Sequence, residues 1–574
     1  MSTRVFILKF LFSLFLTLCA ISANANQEAI LNHESLFHPV TGEQGMVSTQ
    51  EALATQVGLD ILKRGGNAVD SAVAVGFTMA VTLPKAGNIG GGGFMLMHLA
   101  DRSIAIDYRE MAPAKAHRDM FLNPDGTVNN ELARNSFRAA GVPGTVAGLL
   151  HALDQYGSMK REEVMAPAIK LAKNGFPLTR ELANELESRR SQLSRSEAGK
   201  RKFYKANGEA YKAGEIFKQK DLAWSLEQIS KHGEKAFYEG KIARRIASSS
   251  KAHDGIITMS DLKAYEIKER DALVGSYRGY EIVSMPPPSS GGAHIIQMLN
   301  ILENYDLEAM HHNSAAYLHV LTETMKYAYA DRSKYLGDPD FTDIPMEQLL
   351  SKSYANALVK HINPNQARSS MEIAPGLDLP AESPDTTHFS IADSEGNVVS
   401  NTYTLNFSYG SGFVIEGTGI LLNNEMDDFS AKAGTPNAFG LLGGKANAIS
   451  AGKRPLSAMT PTIVLKDKQP YLIVGSPGGS KIINSVLQVI LNVIDHKMNI
   501  ADASSVPRIH HQWLPDVLNI EQGISSDTVN LLLDKGHKVY TSKALGATQS
   551  IVLKDGLMYG ASDPRRPGAM TMAY

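Results

Sequence analysis

Apolar and polar positions repeat along the 574-residue chain with two different periods. Leu53, Val57 and Ile61 recur at helical spacing, with Thr49 placed to cap the helix and Gly65-Gly66 to end it. Asn67 caps a second predicted helix, with Asp70 at its third position. Ala68 to Val81 is apolar on nearly every side, which predicts a buried helix that Pro84 terminates. Gly90 to Gly93 then lead into a strand, Phe94-Met95-Leu96-Met97. Residues 178–252 are charge-rich and helical in pattern, which predicts a solvated helical region. Pro286-Pro287-Pro288 through Gly292 predict a rigid loop before a helix starting near Ala293.

The period changes after residue 385. Pro364, Pro375, Pro380 and Pro384 interrupt the preceding stretch, which reads as an exposed linker. His388 to Ala392 then reads as a strand with Phe389 and Ile391 on one face. Asp393 to Asn397 make a turn, and Val398 to Thr404 the return strand. Thr462–Leu465 and Tyr471–Val474 predict a second hairpin. Ser476-Pro477-Gly478-Gly479-Ser480 turns directly into an apolar helix, Ile482 to Ile494.

Composition narrows the picture. The chain is 43% hydrophobic and 20% charged, which is ordinary globular usage. Its length predicts two or three subdomains or one large layered fold. A net charge of -2 without a basic block gives nucleic acid no surface to bind. Residues 1–25 read as a signal peptide: Arg4 and Lys9, an apolar run from Phe10 to Ile21, and Ala23-Asn24-Ala25 as the cleavage site. The run is too short to span a bilayer comfortably, so no stable anchor is expected after its removal. The single cysteine, Cys19, lies inside this leader. Disulfides, thiolate metal sites and a cysteine nucleophile are therefore excluded from the mature chain.

Several catalytic patterns fail on spacing. His33-Glu34 and His38 miss the zinc-protease spacing by one residue. His311-His312 and His510-His511 are adjacent pairs that read as structural. The glycine run at 90–93 lacks the Lys-Ser/Thr of a phosphate loop. No nucleophile elbow exists, and Ser248 to Lys251 lacks its companion motifs. What is left is a hydroxyl. If the chain breaks before Thr386, its Oγ can attack an amide and its own α-amine, titrating at about 7.7–8.0, can take the proton. Gly478-Gly479, at a helix mouth, can turn N–H groups toward an oxyanion. By pattern alone, two β-formers opening a strand is the simpler reading of Thr386 and Thr387.

A resemblance separates those readings. Asp385-Thr386-Thr387-His388-Phe389-Ser390 resembles the self-processing site of the γ-glutamyltransferase family. Thr402 to Asn406, Gly419 to Ser430, Lys453 to Ser457 and Gly475 to Ser480 continue in family order. Asp107 to Pro113 and Val142 to Gly148 match in the first half, so the likeness runs from about residue 40 to the C-terminus. It implies an α+β fold, the four-layer αββα sandwich of N-terminal-nucleophile hydrolases. It implies a large subunit, 26–385, and a small catalytic subunit, 386–574, that form a heterodimer after cleavage between Asp385 and Thr386.

The resemblance also implies the site. Thr386 is the expected nucleophile, Thr404 its hydrogen-bond partner, and Gly478 and Gly479 the oxyanion hole. Arg109 is expected to pair with the substrate α-carboxylate, assisted by Ser457, and Asn406, Glu425 and Asp428 to hold the α-ammonium. The implied donors are glutathione and other γ-glutamyl compounds, the acceptors water, amino acids or dipeptides. No cofactor and no metal are implied. Three positions depart from the pattern. Ala458 stands where a second serine is frequent, which removes one hydrogen bond worth about 1 kcal/mol. Phe439 stands where bacterial relatives with a lid often carry tyrosine, and relatives vary at Asp385. Two rival readings are a β-lactam acylase on the same fold and a non-catalytic exported binding protein.

Overall fold

The computed structural model describes residues 35–373, 386–432 and 444–574. The leader, His33 and Glu34, Asp385 and Phe439 lie outside the described residues. A layered body spans Pro39–Tyr574, and the chain up to His38 is a separate unit.

Two seven-stranded sheets form the middle of the body. The first runs in the order 570–573, 46–49, 387–392, 398–404, 92–99, 102–108, 268–270. The second runs 40–42, 557–562, 549–554, 469–475, 462–466, 280–284, 273–277. Pairing within both is antiparallel throughout.

Side-chain alternation assigns the layers. In strand Gly92–Leu99, Met95 and Met97 join one core, with helices Ala52–Lys63, Ala68–Thr82 and Thr145–Tyr156. Phe94 and Leu96 join the other, with Ile463, Ile473 and Val474 of the facing sheet. That second core continues through the facing sheet to helices Gly291–Leu302, Ala315–Tyr335 and Lys481–Ile494. Helix, sheet, sheet and helix stack in that order, as the αββα expectation requires.

Most predicted elements form. Helix Ala68–Thr82 is buried along its whole length and begins with a capping box between Asn67 and Asp70. The first helix, however, is capped by Glu51, whose carboxylate accepts from the Leu53 and Ala54 amides. Thr49 lies in the adjoining strand instead, and its hydroxyl meets Thr55 at 2.9 Å. The region 178–252 is less solvated than its charge suggests. Its helices are amphipathic, and Leu226, Ile229, Ile242 and Ile246 enter the first core.

Candidate active site

Strands Thr387–Ala392 and Val398–Thr404 pair in register, Thr387 opposite Tyr403, so Thr386 emerges at the sheet end beside Thr404. On the helix-facing side Phe389 and Ile391 anchor the hairpin in the first core. On the sheet-facing side His388 fills the space over Gly475, where a Cβ would lie 2.2 Å from the ring. The imidazole meets Thr402 Oγ1 at 2.8 Å and Ser390 Oγ at 3.1 Å. Burial pushes its pKa down to about 3, so it is neutral and serves packing.

The glycines at 90–93, which carried no role in the sequence pattern, pack against the site strands. A Cβ on Gly90 would meet Leu421 O at 2.0 Å, and one on Gly91 would meet Thr404 O at 2.0 Å. One on Gly92 would strike Tyr108 O and the Glu110 carboxylate within 2.7 Å. The run lets three chain segments close on one another.

Thr386, only 5% exposed, lines a cavity of about 20 Å³ with Thr404, Asn406, Arg109, Glu425 and Asp428. Ser457, Ala458 and Gly479 also line its walls. Thr404 Oγ1 accepts from the Asn406 amide at 2.9 Å. That bond helps hold Asn406 at φ 77°, a left-handed conformation that asparagine tolerates. Asn406 Nδ2 donates to Asn424 O at 3.0 Å, while its Oδ1 has no hydrogen-bond partner among the described residues. Glu425 Oε2 is likewise unpartnered there. Two buried acceptors without donors suit a ligand that brings N–H groups.

Arg109 follows strand Arg102–Tyr108 and is fully buried. Its Nη1 pairs with Glu425, its Nη2 donates to Asp428 Oδ2 at 2.5 Å, and its Nε to Pro455 O at 3.3 Å. Glu110 Oε2 stands 3.7 Å away. Burial opposes the guanidinium's charge, but the three carboxylates outweigh it and hold the proton more tightly than usual. Burial pushes the carboxyls of Glu425 and Asp428 above their usual range, with Arg109 opposing that, and pushes Glu110 up to about 7. The cationic and acidic halves of the expected clamp thus neutralise each other.

Gly479 and Gly478 precede helix Lys481–Ile494, with φ 57° and 136°. The helix mouth is therefore built from two residues without Cβ strain. Gly479 faces the cavity. Gly478 lines an adjoining hollow with Pro477, Gly546 and Ala547 instead.

Sequence reasoning missed Arg332, Met459, Ser480 and Ile482, which also line the cavity. It also missed a buried group of His319, Glu323 and His537, whose ligand-type atoms lie within 4.8 Å of one another. His319 Nε2 donates to Asn363 O at 2.7 Å, so its Nδ1 accepts from His537 Nε2 at 2.8 Å. Glu323 pairs with the Lys326 ammonium at 2.8 Å. Those lone pairs are used and a cation already stands beside them, so the group fits a structural clamp better than a metal. The expected structural histidines behave alike: His510 meets Asn484 Nδ2 at 2.8 Å and His511 meets Asp516 at 3.2 Å.

Known proteins resemble this chain in sequence and in fold. The chain is 52% identical over 543 residues to the glutathione hydrolase proenzyme of Escherichia coli (strain K12), covering 94% of each. It is 44% identical over 568 residues to the glutathione hydrolase proenzyme of Pseudomonas sp. (strain A14), covering 97% of this chain and 99% of that one. The crystal structure of cephalosporin acylase from Bacillus halodurans superimposes with a TM-score of 0.82 at 27% identity, covering 96% of this chain and 98% of that one. The family profile described as Gamma-glutamyltranspeptidase matches residues 54–573, and the chain belongs to that family.

Proposed function

We propose that this chain is an exported, self-cleaving γ-glutamyltransferase and glutathione hydrolase with Thr386 as its nucleophile. One observation carries the reading. A threonine at a strand start shares a small buried cavity with the guanidiniums of Arg109 and Arg332 and the carboxylates of Glu425 and Asp428, and Asn406 Oδ1 and Glu425 Oε2 there lack hydrogen-bond donors among the described residues. A free glutamyl head group has the complementary charges: a carboxylate for Arg109 and an ammonium for Glu425, Asp428 and Asn406. Ser457 assists at the carboxylate end.

Cleavage between Asp385 and Thr386 gives a large subunit, 26–385, and a small one, 386–574, which stay together. In turnover Thr386 Oγ attacks the γ-carbonyl, with its α-amine taking the hydroxyl proton. The Gly478 and Gly479 amides receive the oxyanion, and Thr404 orients the hydroxyl. The C–N bond then breaks, and the proton passes to the departing amine. Water or an amino-acid or dipeptide amine resolves the γ-glutamyl ester. None of these steps calls for a metal or cofactor. Residues 1–25 direct the protein to the periplasm or medium and are then removed. Among the described residues no helix is long and apolar enough to cross a membrane.

The wild type is expected to run as two bands on a denaturing gel and to release nitroaniline from γ-glutamyl-p-nitroanilide, faster with glycylglycine. Thr386→Ala should stay one chain and be inactive. A wild type that stays intact at full activity would sink the mechanism, and an intact, inactive one would favour a binding protein. An acylase for glutaryl amides is the second reading, because the superimposed cephalosporin acylase shares the fold. Glutaryl groups have no ammonium, so the acids Glu425 and Asp428 disfavour it. Preference for glutaryl-p-nitroanilide over the γ-glutamyl compound would reverse that choice.

A further inference from the structure

Arg332 is a second buried guanidinium on the cavity wall. It projects from helix Ala315–Tyr335, three residues after Tyr329, and both are buried on one helix face. Tyr329 donates its hydroxyl to Ser480 O at 2.5 Å, beside Gly479. Arg332 Nε donates to Ser290 Oγ at 3.0 Å. Ser290 in turn donates from both its amide and its hydroxyl to Ser457 O, each at 2.8 Å. Arg332 thus braces the Ser457 wall, and its charge acts on Asp428.

The charges explain why a second cation is present. Asp428 is faced by Arg109, Glu425 and Glu110 from its own side and by Arg332 from the helix. Asp331 turns away, to Gln297 and Tyr354, and His294 beside Arg332 is held neutral by burial first and by Arg332 second. A zwitterionic donor adds one carboxylate and one ammonium to this set. With Glu110 protonated, three positive groups (Arg109, Arg332, ammonium) then match three negative ones (Glu425, Asp428, carboxylate). Without Arg332 the buried cavity carries one uncompensated negative charge, and a proton is the simplest way to remove it.

We propose that Arg332 is a positioning residue for donor binding: it balances Glu425 and Asp428 so that both stay charged for the donor ammonium, and it braces the Ser457 wall. The proposal rests on the γ-glutamyl reading above. The test compares wild type, Arg332→Met and Arg332→Lys by steady-state kinetics on γ-glutamyl-p-nitroanilide from pH 5.5 to 9. Inhibition by L-glutamate and by glutarate, which lacks the ammonium, is measured in parallel.

Binding needs ionised acids and is lost as pH falls through their pKa. Removing a nearby cation raises that pKa, so the acidic limb of the KM profile should move up by about one unit in Arg332→Met. On that acidic limb KM should rise about tenfold, the equivalent of one unit. kcat should change less, Arg332→Lys should restore most of the loss, and glutamate inhibition should weaken more than glutarate inhibition. Superimposable pH profiles, or equal losses for glutamate and glutarate, would overturn the proposal. If Arg332→Met fails to self-cleave, Arg332→Gln takes its place with the same expected upward shift, while Arg332→Lys keeps an acidic limb close to wild type. Calorimetric binding of L-glutamate to wild type separates the two failures: binding without turnover defeats the catalytic reading and leaves Arg332 to be judged by its variants' affinities.

Discussion

Arg109 is held by carboxylates at two nitrogens and by a carbonyl at the third, with no water-facing surface. A lysine there keeps one charge but cannot span both acids. Arg109→Lys should therefore raise KM for γ-glutamyl donors by roughly ten- to a hundredfold, about 1.5–3 kcal/mol for a charge-assisted hydrogen bond. Donor kinetics check this, and an unchanged KM would remove Arg109 from the carboxylate role. Glu110 behind it gives a pH signature. Its pKa rises from 4.5 to about 7 on burial, so the folded state holds its proton more tightly than the unfolded state. Its contribution to stability is therefore full below pH 4.5 and lost as pH rises toward 7. Glu110→Gln removes that dependence. Relative to wild type the variant should gain melting temperature between pH 4.5 and 7, with no further gain above. A flat difference across that window would contradict the assignment.

Elements show which features local sequence could carry. The Asn67–Asp70 capping box is a four-residue pattern, and it forms as read. Asn67→Ala should cost about 1 kcal/mol, seen as a lower denaturant midpoint at unchanged slope. Thr49 sits in a strand rather than at a helix cap because strand pairing decides its place. It pairs with Phe389 on one side and Met570 on the other, residues distant in sequence. Gly475 is similar, since nothing nearby in the chain announces the His388 ring against it. Gly475→Ala should cost roughly 1–3 kcal/mol by overpacking. It should also slow self-cleavage, because the ring it displaces sits two residues from Thr386. A time course of band appearance on a denaturing gel measures this. Arg332 carries no local signal for a different reason. Helix Ala315–Tyr335 is buried on most sides, so its polar residues form no distinctive stripe. The hydroxyl, the clamp residues and the helix mouth were legible because they sit in long motifs. The support behind them was not, because it comes from facing layers.

At the scale of the whole molecule, the predicted subunits are interleaved. In the first sheet, strand 46–49 lies between 570–573 and 387–392, and strand 92–99 adjoins 398–404. In the second, strands 40–42 and 280–284 flank a block of four from the second half. Cutting one bond before Thr386 therefore leaves two chains sharing both sheets. They should co-purify through size exclusion and high salt, separate only in denaturant, and melt in one transition. Two separate transitions in calorimetry would contradict this arrangement.

That interleaving has a bearing on when the protein can become active. Strand 570–573 is the last of the described strands to leave the ribosome, yet it borders strand 46–49, itself the neighbour of the Thr386 hairpin. A chain still being synthesised lacks that border. Self-cleavage would then wait until strand 570–573 has taken its place in the sheet. A chain truncated after Ala569 should accumulate uncut, and supplying the missing strand as a separate peptide should restore some cutting.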